Sequence, residues 1–251
     1  MLNAEKKSIT QALFVVSYER DSTIRTKQFD IEKVLAPLLQ GPSISTNLPD
    51  DFNPQAPRFT IKQGQVSVNF SQIAAQLTID IDNVKGQPIE VIKNSITKRI
   101  NLFQNCVDKI IPLDQQREHG LVIILRYPVD STKFPDEAVL QYIQSKFFRT
   151  SPLGSPASAE FNLGYKTDDN FFITLSVNDY KLIDTTSAAN EQWINLLTLP
   201  VKESGIQLKI DVNSKPMVAM SNKPADITGA ILKKTFDFVL TDADLFMGIQ
   251  K

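Results

Sequence analysis

Apolar runs of strand length, each followed by a segment with helical spacing, occur twice along the chain. The runs are residues 13–18 and 121–127, and both are rich in β-branched side chains. The segments that follow are residues 31–40 and 136–148, and in the second the apolar side chains recur every four residues on one helical face. The pattern therefore predicts a strand and then a helix at two places.

A second match lies farther along both copies. Residues 76–83 resemble residues 207–213, and a lysine and a proline follow each of them. Long amphipathic helices are predicted next, over residues 92–110 in the first copy and 227–246 in the second. The second copy is longer by about 23 residues, and this excess is placed at residues 184–202.

Between the first and second matching segments of each copy, apolar and polar residues alternate, which is typical of strands. The alternation covers residues 58–63 and 66–70, joined by Gly64-Gln65, and residues 160–166 and 171–177, joined by a polar turn. Each copy then has the order β–α–β–β–β–α.

This order predicts an α+β fold made of two internally duplicated halves. The first half is residues 8–116, and the second is residues 117–251 with the inserted segment around 184–202. Antiparallel sheets with long helices packed on one face are expected. Whether the two sheets merge into one stays open at this point.

Composition narrows the chemistry. The chain has 251 residues, a formal net charge of −1, and a single histidine, cysteine and tryptophan, which are His119, Cys106 and Trp193. One cysteine excludes an internal disulfide, and two Cys/His ligands are too few for a structural zinc site. No nucleotide-binding glycine loop or hydrolase motif is present. We therefore predict no catalytic residues and no cofactor, and a non-enzymatic protein is favoured over an enzyme.

Some positions still deserve a chemical hypothesis. Asp80 and Asp82, with Asp211 and Asn213 in the second copy, could present oxygens to a hard cation, but the alternation around them is typical of a strand with one wet face. His119 lacks an identifiable nucleophile partner. Cys106 is expected to be a buried thiol. A structural role is favoured for all of them.

Residues that contact a partner are predicted in two segments. Residues 40–57 form the longest polar, irregular stretch, in which Pro49 and Phe52 are candidate contacts, although a plain connector is the alternative. Trp193 lies in the inserted segment, either as a core plug or as a contact residue.

The charge and hydropathy of the chain indicate which kinds of partner, nucleic acid, membrane or protein, it is expected to bind. The paired basic residues at 98–99 and 233–234 are interpreted as solvated helix faces, because the net charge of −1 gives no general attraction to nucleic acid. No apolar stretch approaches about 18 residues, so no membrane association is expected and a cytoplasmic location is predicted. A protein partner is the prediction, with a homo-oligomer left open.

The order of features also resembles a sporadically distributed, uncharacterised bacterial protein family of about 250 residues. The matching residues are 121–127, the segment 236–242 and Met247-Gly248. The resemblance supplies no catalytic residues. The scattered occurrence of the family implies an association with phage defence or toxin–antitoxin pairs.

Two functional hypotheses follow. The first is a non-enzymatic interaction or sensing protein that binds a macromolecular partner. The alternative is a small-molecule binding protein or enzyme with its ligand site in the cleft between the two halves.

Overall fold

A single nine-stranded antiparallel sheet organises the computed structural model of the protein. The structure describes residues 2, 4–81, 87–130, 132–149, 154, 156–184, 199–218, 220 and 226–249. The strand order is β2-β3-β4-β5-β1-β6-β9-β8-β7. The prediction of an α+β fold with antiparallel strands is confirmed.

The strands are β1 (Ser8–Tyr18), β2 (Ser43–Ser45), β3 (Phe59–Gln63), β4 (Val66–Phe70), β5 (Ala74–Asp80), β6 (Gln116–Val129), β7 (Glu160–Lys166), β8 (Phe172–Ile183) and β9 (Val201–Asn213). The helices are α1 (Gln28–Leu35), α2 (Ile89–Ile110), α3 (Asp136–Phe147), α4 (Ile227–Asp237) and the single turn α5 (Ala243–Phe246).

Strands β1 and β6 lie side by side in the middle of the sheet. Their register pairs Leu13 with Val122 and Phe14 with Leu121. Because β5 flanks β1 and β9 flanks β6, the strands of the two predicted halves form one continuous sheet rather than two.

Burial alternates along the central strands. On β1, Phe14 and Val16 are buried whereas Leu13 and Val15 are half-buried, as expected for a strand with one face in the core. The Phe14 ring meets the Phe103 ring of α2 edge to face, with centroids 6.2 Å apart. Helix α2 therefore covers the buried face.

Two helices lie close to their predicted spans. Helix α2 covers residues 89–110, against a predicted 92–110, and α3 covers 136–147, against 136–148. Pro37 inside the segment 31–40 favours a short helix, because proline has no N–H for helical hydrogen bonding, and α1 ends at Leu35. None of the described helices combines the length and apolar character needed to cross a membrane.

The chain is helical over the whole of the predicted span 227–246, but not as one long α-helix. Helix α4 ends at Asp237, and residues 238–242 wind as a wider π helix before α5 begins. A π turn changes which carbonyls have helical partners. Here the Val239 carbonyl accepts a bond from the Lys7 ammonium at 3.1 Å.

That ammonium also takes part in a buried ion pair. Lys7 Nζ lies 2.8 Å from Asp244 Oδ1, and the two side chains are only 5% and 10% exposed. The Tyr127 hydroxyl of β6 donates to the same carboxylate oxygen at 3.0 Å. The start of the chain is thereby joined to its last helix through the middle of the sheet.

The predicted insertion, residues 184–202, follows β8 directly and overlaps the first two residues of β9. Strands β8 and β9 pair as far as Ile183 and Val201. Residues 185–198, with Trp193, lie outside the described residues. The stretch 40–57 is also not wholly irregular, because it contains the short strand β2.

Candidate functional site

An exposed aromatic side chain is held on a tightly anchored loop. The loop comprises residues 46–57 and is called the Arg58 loop below, after the residue that holds it. Arg58 is fully buried, and its guanidinium donates to the carbonyls of Phe52 at 3.0 Å, Ala56 at 3.1 Å and Asn53 at 3.4 Å. Phe52 itself is 51% exposed. The backbone of Phe52 is therefore fixed while its ring faces solvent.

A second set of bonds fixes the loop at Asp50. The Asp50 carbonyl accepts from Gln72 Nε2 at 2.9 Å and from Arg20 at 3.3 Å. The Asp50 carboxylate lies 3.7 Å from the Arg25 guanidinium and 3.9 Å from Arg58 Nε. Pro49 precedes this anchor and is exposed. Both predicted contacts, Pro49 and Phe52, thus lie on one ordered surface loop.

A cleft lies between α2, the start of α4 and the beginning of β6. Its volume is about 670 Å³. Four carboxamides line it, together with an imidazole, two carboxylates and a guanidinium, and only two of its side chains are apolar. The lining residues are Asn101, Gln104, Asn105, Asp108, Leu113, Gln116, Arg117, His119, Asp226, Ile227 and Thr228.

The floor of the cleft is a closed hydrogen-bonded ring. His119 Nε2 lies 3.1 Å from Gln116 Oε1, and Gln104 Nε2 donates to the same oxygen at 3.2 Å. Thr228 Oγ1 is 3.0 Å from His119 Nδ1 and 3.2 Å from Gln104 Oε1. All four side chains are buried, so the ring satisfies polar groups that would otherwise be costly in the interior.

The orientation of Gln116 fixes one proton of the imidazole. Its amide nitrogen donates to Asp108 Oδ1 at 2.9 Å and to the Ile111 carbonyl at 3.0 Å, which leaves its oxygen facing His119. An amide oxygen only accepts, so His119 Nε2 carries hydrogen. The Thr228 hydroxyl donates its hydrogen to Gln104 Oε1 and lies 3.0 Å from His119 Nδ1.

The hydrogen bonds of the ring hold the polar groups of the cleft in place. His119 has a hydroxyl partner, Thr228, and that hydroxyl is also bound to Gln104 Oε1 within the ring. A nucleophile and base need a reacting atom within reach of both. The cleft offers donors and acceptors in fixed positions instead.

The acid pairs of the metal hypothesis are not brought together. Asp80 is at the end of β5 and accepts from Gln11 Nε2 at 2.7 Å, whereas Asp211 on β9 accepts from Asn213 at 3.3 Å. Strands β5 and β9 are three strand spacings apart, which is about 14 Å. Asp82 lies outside the described residues. Among the residues described, no group of three acids, histidines or cysteines could hold a metal ion.

Two other residues considered from the sequence, Cys106 and Lys234, make contacts within the chain. Cys106 is buried and its thiol donates to the Val34 carbonyl at 3.1 Å, which confirms the prediction of a buried thiol. Burial raises the pKa of Cys106. Lys234 lies 2.8 Å from Asp169 and 5.5 Å from the centre of the Phe171 ring, so it is engaged within the chain.

The sequence alone gave no indication of Arg58, Gln104 or Gln116. Arg58 stands at the start of an alternating strand pattern, where an arginine is usually solvent-exposed. The two glutamines belong to no motif and meet only because α2 and β6 pack together. Comparison with family models, curated proteins and solved structures found no match for this chain.

Proposed function

We propose that this protein binds another protein, with the Arg58 loop as the contact surface. The main observation is that Phe52 has a fixed backbone and an exposed side chain. Its carbonyl accepts a hydrogen bond from the buried Arg58 guanidinium, and its ring is exposed. Burying an arginine is costly unless its donors are used. Here three donors are used to order a surface loop.

An ordered aromatic side chain is well suited to binding. Association usually loses free energy because flexible loops and side chains must be immobilised. The anchors at Asp50 and Phe52 have already fixed this backbone before a partner arrives. Aromatic residues in such positions dominate the energy of many interfaces.

The loop also indicates the chemistry of the partner. Asp51 is exposed beside Phe52, whereas the preceding carboxylate, Asp50, already faces Arg25 and Arg58. A complementary surface would offer an apolar pocket for the ring with basic side chains at its rim. The partner expected is therefore a protein with a basic, partly apolar surface.

The decisive experiment compares two exposed phenylalanines. The wild type, Phe52→Ala and Phe29→Ala are used as bait in the native host, and the recovered partner is purified for titration calorimetry. Phe29 is a matched control because it is 66% exposed and lies outside the loop, on α1. We expect Phe52→Ala to weaken binding about tenfold or more, and Phe29→Ala to leave it within about twofold.

Two outcomes would contradict the proposal. One is that no stoichiometric partner is recovered with the wild type. The other is that both variants bind the partner equally well. Circular dichroism and the melting temperature establish that each variant is folded, so that loss of binding is not loss of structure.

A second candidate function is the binding of a small polar molecule in the cleft above His119. It is favoured by the convergence of four carboxamides with an imidazole on one cavity of about 670 Å³. A thermal-shift screen against metabolites, nucleotides and metal ions would reveal a ligand. The shift should disappear in the double variant Asn101→Leu/Asn105→Leu, which changes two exposed rim residues, and persist in Phe52→Ala.

The two halves, residues 8–116 and 117–251, are further proposed to be copies of one ancestral unit. The strand order supports this, because reading outward from the centre gives β1-β5-β4-β3 on one side, with the short β2 beyond, and β6-β9-β8-β7 on the other.

A setting in phage defence or toxin neutralisation is the biological context proposed from the resemblance described above. A toxin, nuclease or ATPase gene beside this one would support that setting, and unrelated housekeeping neighbours would oppose it.

A further inference from the structure

The sheet ends in two very different edge strands. Strand β2 has three residues, which leaves little backbone for another strand to pair with. Strand β7 has seven residues, and all of its side chains except Phe161 are exposed. Among the described residues, no strand pairs with its outer edge.

Within its own seven residues, strand β7 has few of the features that protect an edge. It contains no proline, and its ladder with β8 continues without a bulge from Glu160–Asn178 to Lys166–Phe172. Charged side chains occur only at its two ends. Native edge strands without such devices are templates for pairing with another chain.

We propose that two copies of this protein form a dimer through their β7 strands, paired antiparallel about Leu163. The sequence of β7 is complementary to itself in this register. Glu160 lies opposite Lys166 of the second copy, Phe161 opposite Tyr165, and Asn162 opposite Gly164, while Leu163 meets its own equivalent at the two-fold axis. This dimer is independent of the function proposed for the Arg58 loop.

The charge pattern selects this register. Glu160 and Lys166 are equally far from Leu163, so both ends of the paired strands bring opposite charges together. Shifting the centre to Asn162 or Gly164 leaves a charged end without its counterpart. Opposite charges directly across a strand pair stabilise it, and like charges destabilise it.

The backbone groups on the free edge suit the same pairing. The Thr167 N–H donates to the Phe171 carbonyl at 2.9 Å, and hydrogen-bonded pairs alternate along an antiparallel ladder. The backbone of Leu163 therefore faces β8, and that of Asn162 and Gly164 faces outward. Pairs 160–166 and 162–164 would exchange up to about eight N–H···O bonds across the axis.

The side chains that meet across the axis are apolar on one face. Phe161, Leu163 and Tyr165 point to the same face as their β8 partners Val177, Leu175 and Ile173. Leu163 is 39% and Tyr165 42% exposed in the single chain. Phe161 is held in place by stacking on Phe147 of α3, with centroids 4.7 Å apart. Pairing covers the exposed apolar side chains of both copies.

A charge swap tests the register. The mass of the full-length chain is measured by light scattering and sedimentation over a range of concentrations, and a dimer has twice the chain mass of 28.1 kDa. Glu160→Lys and Lys166→Glu each place like charges opposite one another, so each should weaken dimerisation at least about fivefold. The double variant Glu160→Lys/Lys166→Glu should restore the dissociation constant to within about twofold of wild type.

Disulfide trapping tests the axis. Residues directly opposite at a non-hydrogen-bonded position have Cα atoms about 4.5 Å apart, within reach of a disulfide. Leu163→Cys should therefore form a covalent dimer on oxidation. Tyr165→Cys is the matched control, because the two copies of residue 165 would be four residues, about 13 Å, out of register. The native Cys106 is buried and should not crosslink.

The proposal is overturned by a monomer at about 100 µM, by a dimer that the charge swaps do not affect, or by equal crosslinking of the two cysteine variants. Phe52→Ala should dimerise normally. Failure of the dimer and failure of the Arg58 loop are thus separate results.

Discussion

The buried ion pair between Lys7 and Asp244 makes a sharp prediction about stability. Replacing Lys7 by methionine keeps the length of the side chain but removes its charge. The Asp244 carboxylate then retains the Tyr127 hydroxyl as a partner and loses its counter-ion, while the Val239 carbonyl loses its donor. A buried carboxylate left in this way is strongly destabilising.

The low solvent exposure of Lys7 and Asp244 determines how much unfolding free energy Lys7→Met should lose. Lys7 and Asp244 are only 5% and 10% exposed, so solvent screens their attraction weakly. Removing one partner of such a pair costs about 3–5 kcal/mol of unfolding free energy. A protein of this size is typically stable by about 5–15 kcal/mol. Lys7→Met should therefore fold, with a much lower urea midpoint.

Urea unfolding followed by circular dichroism measures this cost. Arg117→Met is the control, because the Arg117–Glu19 pair is solvent-exposed and should contribute no more than about 1 kcal/mol. The double variant Lys7→Met/Asp244→Leu removes both charges and should recover most of the loss. If Lys7→Met costs as little as Arg117→Met, the pair is not the buried link described here.

Three further predictions concern other regions of the fold. Thr228→Val leaves His119 Nδ1 without its hydroxyl partner and should lower the unfolding free energy by about 1–3 kcal/mol. Gly205→Ala would place Cβ against a backbone carbonyl of β6 and 3.0 Å from the Tyr180 ring, so a loss of about 1–3 kcal/mol is expected. Burial raises the pKa of Asp169, but bonds from Lys234 and Thr167 outweigh it and hold that pKa below its ordinary value. A lowered folded-state pKa stabilises the protein above the unfolded value, and this contribution is lost as the pH falls through the folded value. The urea midpoint of Asp169→Asn should thus fall less than that of the wild type between about pH 5 and pH 2.

Two of these variants have a counterpart in the sheet that should behave differently. Thr174→Val changes a half-buried strand hydroxyl and should alter stability by no more than about 0.5 kcal/mol. Gly120→Ala adds a Cβ at an ordinary 3.4 Å contact and should be tolerated. Equal effects within a pair would contradict the local explanation.

The sequence predicted best those elements whose bounds are determined by the pattern of apolar residues within the element itself. Strand β7 has the predicted bounds because its alternation ends at the turn after Lys166. Helix α2 follows its apolar stripe, which includes Ile96 and Phe103. These patterns report which face is buried without knowledge of what covers it.

The rest depended on residues far apart in the chain. The π turn that interrupts the C-terminal stripe has a carbonyl bound by Lys7, more than 200 positions away. Arg58 is buried because the loop before it folds back over its guanidinium. The floor of the cleft needs Gln104 from α2 and Thr228 from α4. No window of local sequence contains these pairs, so periodicity could not reveal them.

The central pairing of β1 with β6 also has consequences during synthesis. Leu13 and Val122 are register partners, so β1 emerges from the ribosome about 110 residues before the strand that completes its second edge. At about 5–20 residues per second, that edge stays open for roughly 5–20 seconds. Nascent chains are vulnerable to aggregation in such an interval, and the half-buried Leu13 and Val15 would be exposed with it. The edge of β1 that pairs with β6 is thus a place where a chaperone bound during synthesis would prevent aggregation.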